Sequence, residues 1–145
     1  MPKIKAGYAV SDAYVALFKE KYGVEYTVIR NATVKRERLA AATHAKPIVL
    51  YQGAVNEGRA LDQVILAMQH IDAELWICGV GDLYESLQDF TREQGLQEKV
   101  RFKGFVAPTN LRAITADAAV GLTLFETNGK SNYYSLANRF FDFRR

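Results

Sequence analysis

Short apolar runs recur at regular intervals in the last two thirds of the chain, from residue 47 onward. Residues 47–51 form the clearest buried strand, residues 74–78 form the next, and Val100, Phe102 and Phe105 mark a third strand region. Residues 118–124 are rich in Val, Leu and Thr, so we expect a strand that is buried on both faces. Four strands are therefore predicted after residue 46.

The segments between these strands repeat apolar residues at helical spacing. One predicted helix begins near Leu61, a second one carries Leu83 and ends at Gly95, and a short third one begins at Pro108. Strand and helix thus alternate four times, which is typical of right-handed βαβ units on a parallel sheet. The predicted fold class is α/β, with a doubly wound, Rossmann-like parallel sheet.

The first 46 residues are organised differently. Residues 5–10 and 25–29 are predicted strands, and between them Ser11 opens a helix that Gly23 ends. Residues 34–46 are basic and rich in alanine, so they are interpreted as a linker or an exposed helix and as the one domain boundary.

The composition of the chain makes some classes of function and location less favoured than others. The 145 residues carry a net charge of +3, but the basic residues are dispersed and not interleaved with aromatics, so we expect no nucleic-acid partner. The single cysteine, Cys78, lies in an apolar run and is predicted to be a buried thiol in a reducing compartment. Without an apolar segment of about 18 residues or a signal peptide, the protein is expected to be cytoplasmic, with peripheral membrane contact at most.

Two charged residues occupy positions where ligands meet parallel sheets. Glu126 stands just past the end of the predicted strand 118–124, ahead of a polar loop at 127–132 and a helix whose Leu136 and Phe143 face inward. Arg59 follows a glycine-bearing turn that begins at Gly53 and precedes a helix. Such positions suit a carboxylate for hydroxyls and a guanidinium for a phosphate; equally, Glu126 fits a solvated loop acid and Arg59 a surface residue.

Other motifs point less clearly to chemistry. Gly79 and Gly81 follow a strand, as in dinucleotide-binding turns, but Tyr84 replaces the third glycine and the next strand ends in Lys103 instead of an acid. A tight turn before a helix explains both glycines at least as well. His44 and His70 lack a third ligand at metal spacing, so no metal is expected.

Taken in order, these segments resemble the donor-binding half of family 4 glycosyltransferases of the GT-B fold. The resemblance rests on residues 48–53 with 57–59, on 77–81, on 100–106, and on Glu126 with 138–143. It implies a donor-binding, Rossmann-like domain at 47–145, incomplete at its C-terminus. Residues 1–33 would be the tail of the preceding acceptor-side domain, and 34–46 the linker.

The resemblance also implies roles for individual residues. Arg59 would hold the leaving diphosphate and Glu126 the hydroxyls of the donor sugar, which makes these two the candidate catalytic residues. Asp142 stands where an acid that holds the ribose is expected. The full set expected to bind the donor is Gly53, Gly79, Gly81, Gly104, Phe105, Val106, Asn128, Gly129, Lys130, Ser131 and Asp142.

The chain departs from the family pattern at two positions. Ala54 stands where the family usually has an arginine, and fifteen residues instead of seven separate Glu126 from the second acid, Asp142. The resemblance implies a retaining, metal-independent transferase that passes sugar from a nucleotide-diphosphate donor to a glycan or a lipid-linked acceptor, with an acceptor domain as the missing partner. The alternative is a non-catalytic α/β module that binds or self-associates through an exposed sheet edge.

Overall fold

The computed structural model describes residues 7–30, 32, 37, 39–126, 133–134 and 138–143. The first of these ranges forms a strand, a helix and a second strand, as predicted: β1 (Tyr8–Ala9), α1 (Asp12–Tyr22) and β2 (Thr27–Val28). The two strands pair in parallel in a small sheet of their own. Ser11 caps α1 by accepting the backbone N–H of Tyr14 at 3.3 Å, and Gly23 ends the helix with a left-handed φ of 65°.

The remaining strands form one parallel sheet in the order β5-β4-β3-β6. The bounds are β3 (Ile48–Gln52), β4 (Glu74–Cys78), β5 (Val100–Gly104) and β6 (Val120–Leu122). The connecting helices are α2 (Leu61–Ala67), which continues as a 3-10 turn over Met68–His70, α3 (Tyr84–Glu93) and α4 (Pro108–Asp117), and a last helix, α5 (Asn138–Phe143), follows β6. The predicted α/β alternation is confirmed.

Alternate side chains of β3 point into two separate apolar cores. Tyr51 packs with Leu61, Ile65 and other residues of α2 and α3 on one face of the sheet. Ile48 and Leu50 pack on the other face with residues of α4 and α5. Because helices cover both faces, the sheet is doubly wound, and β3 is buried on both sides.

The predicted burial of residues 118–124 is wrong. The strand in this segment is three residues long, and the side chain of Val120 is 52% exposed. The reason is position: β6 pairs with β3 on one side and forms an edge of the sheet among the described residues. An apolar run shows that a segment prefers burial, but not which neighbours it has.

The helix α1 has no fully buried residue, and its Tyr22 is 52% exposed. One further prediction needs correction. The third strand ends at Gly104, so Phe105 belongs to the following loop and is 76% exposed.

The described residues of the segment 37–46 are exposed and adopt neither helix nor strand. Asp117, at the end of α4, fixes part of the segment by accepting the backbone N–H of Ala42 at 2.7 Å and contacting His44 Nε2 at 3.1 Å. The hydrogen bond from Ala42, aided by His44, lowers the pKa of Asp117 despite its partial desolvation. The segment therefore follows the surface of α4, and its role as a domain linker stays a prediction.

Candidate functional site

The strands β3, β4 and β5 end at or directly before a glycine, and these ends lie together at the carboxyl edge of the larger sheet. The backbone N–H of Gly53, just after β3, donates to Cys78 of β4 at 2.9 Å, and the N–H of Gly79 donates to Gly104 of β5 at 2.8 Å. A Cβ at Gly79 would collide with the carbonyl oxygen of Gly53, and its φ of 149° is one that side-chain-bearing residues rarely adopt. Glycine is therefore needed where the ends of β3 and β4 meet.

The glycine ends of β3 and β4 open into a largely apolar cavity of about 330 Å³, which we call the glycine cavity. Its lining brings four of the predicted donor-binding residues together, namely Gly53, Gly79, Phe105 and Val106. Ala54, Cys78, Val80, Pro108 and Leu111 complete the lining. Gly104 contributes indirectly, because its carbonyl accepts the N–H of Gly79. The cavity offers backbone groups and apolar surface, which suit a flat ring.

A second cavity, of about 260 Å³, contains both candidate catalytic residues. Arg59 and Glu126 line it, together with Asn56, Glu57, Gly58, Ala60, Leu61, Asp62, Leu83 and Leu87. The backbone N–H of Glu126 donates to the carbonyl of Gly58 at 2.9 Å, which ties the segment after β6 to the loop before α2. We call this the acid–base cavity. Arg59 and Glu126 come from segments that are 67 positions apart in the sequence, and Glu57 and Asp62 add two further carboxyl groups to the lining.

One loop forms a wall of both cavities. Its first half, Gly53 and Ala54, lines the glycine cavity, and its second half, from Asn56 to Arg59, lines the acid–base cavity. The buried ring of Tyr51 anchors this loop, because its hydroxyl donates to the carbonyl of Ala54 at 2.7 Å. A single elongated ligand could therefore reach from one cavity to the other along residues 53–59.

Gly81 has a packing role in the structure. A Cβ there would collide with Asn56 Oδ1 and with the carbonyl of Val55. The same Asn56 oxygen accepts the backbone N–H of Asp82 at 3.1 Å. The residue therefore allows the loops after β3 and β4 to pack closely, which agrees with the tight-turn interpretation of the sequence.

The guanidinium of Arg59 is held over an aromatic ring. Its carbon lies 4.5 Å from the centre of the Phe125 ring, a distance typical of a cation–π contact. Nε and Nη1 are buried, and neither donates a hydrogen bond to any residue that the structure describes. Buried guanidinium donors without acceptors are costly, so this cation is placed to receive an anion.

A second arginine, Arg139 of α5, contacts the same ring. Its guanidinium carbon lies 5.6 Å from the centre of Phe125 and 4.8 Å from the centre of Tyr51. Its Nη1 is also buried without an acceptor in the described part of the chain. A Cβ at Gly53 would come within 2.9 Å of this guanidinium, so the end of the arginine side chain would have to shift if Gly53 carried a side chain. Sequence analysis assigned Arg139 no role.

Asp142 lies away from both cavities. Its Oδ2 is 3.5 Å from Nε2 of Gln52, a side chain that is 4% exposed and whose Oε1 accepts the hydroxyl of Thr115 at 3.0 Å. Asp142 lines a separate cavity of about 100 Å³ beside Arg112 and Phe143. It therefore lines neither of the two cavities, although it contacts Gln52, the residue directly before Gly53 of the glycine cavity.

The described residues contain no group of three or more His, Cys, Asp and Glu side chains that could hold a metal ion. Cys78 is 3% exposed, as predicted, and burial raises the pKa of its thiol to about 11 although Lys103 opposes the shift. None of the described helices is long and apolar enough to cross a membrane. The predicted loop residues Asn128, Gly129, Lys130 and Ser131 lie outside the described residues.

The sequence pattern of the family described as glycosyl transferases group 1 matches residues 35–126. The chain belongs to this family. The match covers the strands β3 to β6 and both candidate catalytic residues of this glycosyl transferase domain. No curated protein matches the chain by sequence.

Several solved structures of longer proteins contain a region that is similar in fold to this chain. Sucrose-phosphate synthase from Thermosynechococcus elongatus matches with a TM-score of 0.68 and 16% identity, over 82% of this chain and 34% of that one. A TarM mutant of S. aureus, in complex with fondaparinux, alpha-GlcNAc-glycerol and UDP, matches with a TM-score of 0.62 and 16% identity, over 80% and 24%. The pneumococcal O-GlcNAc transferase GtfA, in complex with UDP and GlcNAc, matches with a TM-score of 0.63 and 13% identity, over 83% and 25%.

These matches establish the fold as that of the Rossmann-like domains of GT-B glycosyltransferases, so the predicted fold class is confirmed. The chain spans about a quarter to a third of the length of these proteins. At such low identity the likeness concerns the fold alone. What the site of this glycosyl transferase domain binds must be argued from its own residues.

Proposed function

We propose that this chain is the donor-binding domain of a retaining, metal-independent family 4 glycosyltransferase that uses a nucleotide-diphosphate sugar. The observation that carries the proposal is the pairing of Arg59 with Glu126 in one cavity, joined by a single loop to the apolar glycine cavity. Such a donor has three chemical parts, a diphosphate, a sugar and a base. The cation Arg59 suits the diphosphate, the carboxylate of Glu126 suits the hydroxyls of the sugar, and the apolar glycine cavity suits the base.

Arg59 supports the transfer step itself. When the bond between the anomeric carbon and the diphosphate oxygen breaks, negative charge increases on the leaving diphosphate. A guanidinium with buried, unused donors stabilises that charge more strongly than it stabilises the ground state, which lowers the barrier. In this role Arg59 contacts the leaving group and is a catalytic residue.

Glu126 supports recognition of the sugar. A carboxylate accepts hydrogen bonds from two neighbouring hydroxyls, and such charge-assisted bonds are stronger than neutral ones. The hydrogen bond between the Glu126 backbone N–H and Gly58 holds this acid close to the loop that carries Arg59. The sugar would therefore lie in the acid–base cavity, with its anomeric carbon toward Arg59.

The glycine cavity would take the base of the nucleotide. Phe105 and Val106 line it together with Gly53 and Gly79, and Pro108 and Leu111 add apolar surface. A flat base fits such a slot and forms hydrogen bonds with backbone groups of the strand ends. Asp142 is proposed by resemblance for the ribose, although it lies on the α4 side.

The sugar acceptor would be bound by a second domain. We propose that residues 1–33 belong to this acceptor-side domain, that 34–46 are the linker, and that 47–145 are the donor domain. The acceptor would be a glycan or a lipid-linked sugar, and the enzyme would work in the cytoplasm with peripheral membrane contact. The separate small sheet formed by β1 and β2 supports this division of the chain.

Calorimetric titration of the 145-residue chain with UDP, GDP and ADP, and then with the matching nucleotide sugars, tests the proposal. We expect one nucleotide to bind and Arg59→Gln to weaken its binding about tenfold to hundredfold, the usual effect of losing a hydrogen-bonded charge. Glu126→Gln should weaken only the nucleotide sugar, by roughly tenfold, because the nucleotide lacks the hydroxyls that this acid binds.

Two exposed residues of α3 provide matched controls. Arg92→Gln and Glu93→Gln make the same chemical changes away from both cavities and should leave every affinity unchanged. A folded wild-type chain that binds none of the nucleotides would contradict the proposal. It would favour instead the non-catalytic α/β module considered from the sequence.

A further inference from the structure

The two arginines around Phe125 form a cluster that the roles assigned so far use only in part. Arg59 and Arg139 come from opposite ends of the domain, yet both guanidinium carbons lie within 5.6 Å of the same ring centre. Two like charges beside one ring repel each other, and the repulsion is stronger where burial lowers the effective dielectric. The fold brings them together nonetheless.

Contacts with aromatic rings offset only part of the cost of burying the two guanidinium groups. The faces of Phe125 and Tyr51 attract the positive charges. A ring face, however, is only a weak acceptor for the N–H groups of a guanidinium. Arg59 Nε and Nη1 and Arg139 Nη1 are buried and lack an acceptor among the residues that the structure describes. Three guanidinium nitrogens of the cluster therefore carry N–H groups that no described residue accepts.

The position of Arg139 connects the two cavities. Its guanidinium lies against Gly53, which lines the glycine cavity, and over Phe125, which directly precedes Glu126 of the acid–base cavity. The absence of a side chain at Gly53 leaves room for this guanidinium. An anionic group that joins a base in one cavity to a sugar in the other would pass this cluster.

We propose that Arg139 is a second anion-binding residue of the site, and that Arg59 and Arg139 together bind a diphosphate. This inference rests on the proposed function, and it adds a residue to the donor site. A diphosphate that bridges two substituents carries two negative charges, which match two guanidinium groups. The planar fork of each arginine fits the oxygens of one phosphate.

Inorganic pyrophosphate is the probe that separates this proposal from the wider function, because it has neither base nor sugar. Its binding to the full chain is measured by calorimetry and by the rise of the thermal midpoint with ligand concentration. We expect Arg139→Gln and Arg59→Gln each to weaken pyrophosphate binding by about tenfold or more. Arg139→Lys keeps the charge but loses the fork, so its loss should be smaller than that of Arg139→Gln. Orthophosphate should bind at least tenfold more weakly than pyrophosphate, because it engages one guanidinium at a time.

A purely structural role for Arg139 predicts a different pattern. If the arginine only stacks on Tyr51 and Phe125, Arg139→Gln would lower the thermal midpoint of the free protein and leave pyrophosphate affinity unchanged. Under our proposal Arg139→Gln weakens pyrophosphate binding whatever it does to the thermal midpoint of the free protein, and Arg92→Gln binds pyrophosphate as the wild type does.

The proposal is overturned if the wild-type chain does not bind pyrophosphate, or if Arg139→Gln binds it as tightly as the wild type. If pyrophosphate binding depends on both arginines while UDP, GDP, ADP and their sugars fail to bind more tightly, the diphosphate site stands and the donor function fails. The two hypotheses can thus be refuted separately.

Discussion

Gly79 is the position where adding one methyl group should damage the site most. The Cβ of Gly79→Ala would overlap the carbonyl oxygen of Gly53, and the φ of 149° is strained for any side chain. The atom that it meets belongs to the backbone, so no rotation of a side chain can relieve the contact. The ends of β3 and β4 would have to separate, which would distort the wall of the glycine cavity.

The size of the expected destabilisation follows from comparison with two glycines that have free space around them. Gly95 and Gly23 have φ values of 68° and 65°, and nothing lies within 4 Å of a Cβ built at either one. Alanine at these positions bears only the left-handed backbone cost, about 1–2 kcal/mol. Gly79→Ala adds a backbone collision to a φ that is even less accessible, so we expect it to lower the free energy of unfolding by more than about 3 kcal/mol.

Urea denaturation of the three alanine variants measures these differences directly. We expect Gly79→Ala to unfold at a much lower urea concentration than Gly95→Ala and Gly23→Ala, with unchanged slopes. If Gly79→Ala loses no more free energy of unfolding than the two controls, the close approach of Gly53 and Gly79 is not a property of the folded protein. The wall of the glycine cavity would then not depend on this contact.

Three other outcomes are expected. The raised pKa of Cys78 and its burial should make its alkylation by iodoacetamide at pH 8 much slower than in urea-unfolded chain, and equal rates would refute this. The folded protein lowers the pKa of Asp117, so the ionised carboxyl group stabilises the fold above about pH 4, and this stabilisation is lost as the pH falls through the pKa of the folded state. Asp117→Asn should therefore make the free energy of unfolding less dependent on pH in the acid range. The exposed edge at Val120 should promote self-association, which concentration-dependent light scattering detects and a constant monomer mass would contradict.

Most of the fold was predictable because its signals are local. The strand 74–78 is predicted to the residue, and the helix ends at Gly23 and Gly95 follow from left-handed caps that glycine favours. Strand order also placed Arg59 and Glu126 at one sheet edge, since parallel strands end on the same side. Periodicity and turn chemistry suffice wherever a few neighbouring residues decide the structure.

The exposure of β6 and the position of Asp142 depend on contacts between distant segments. Val120 lies in an apolar run, and only the order of the strands shows that this run forms an edge. Asp142 matches an expected acid by its place in the chain, but the direction of α5 sets it beside Gln52 and Thr115. A pattern along the sequence carries no information about either arrangement.

The arginine cluster shows why the candidate site needed both kinds of evidence. The spacing of residues 53–59 singles out Arg59, because a glycine turn and a helix start frame it. Nothing local distinguishes Arg139, whose importance comes from its contact with Gly53 and with Phe125 across the fold. Gly53 has a φ of 140°, which residues with a side chain rarely adopt, and a Cβ there would also displace the guanidinium of Arg139. Substituting Gly53 would test both at once, whereas substituting Arg139 isolates the charge, which is why the arginine is the residue to change.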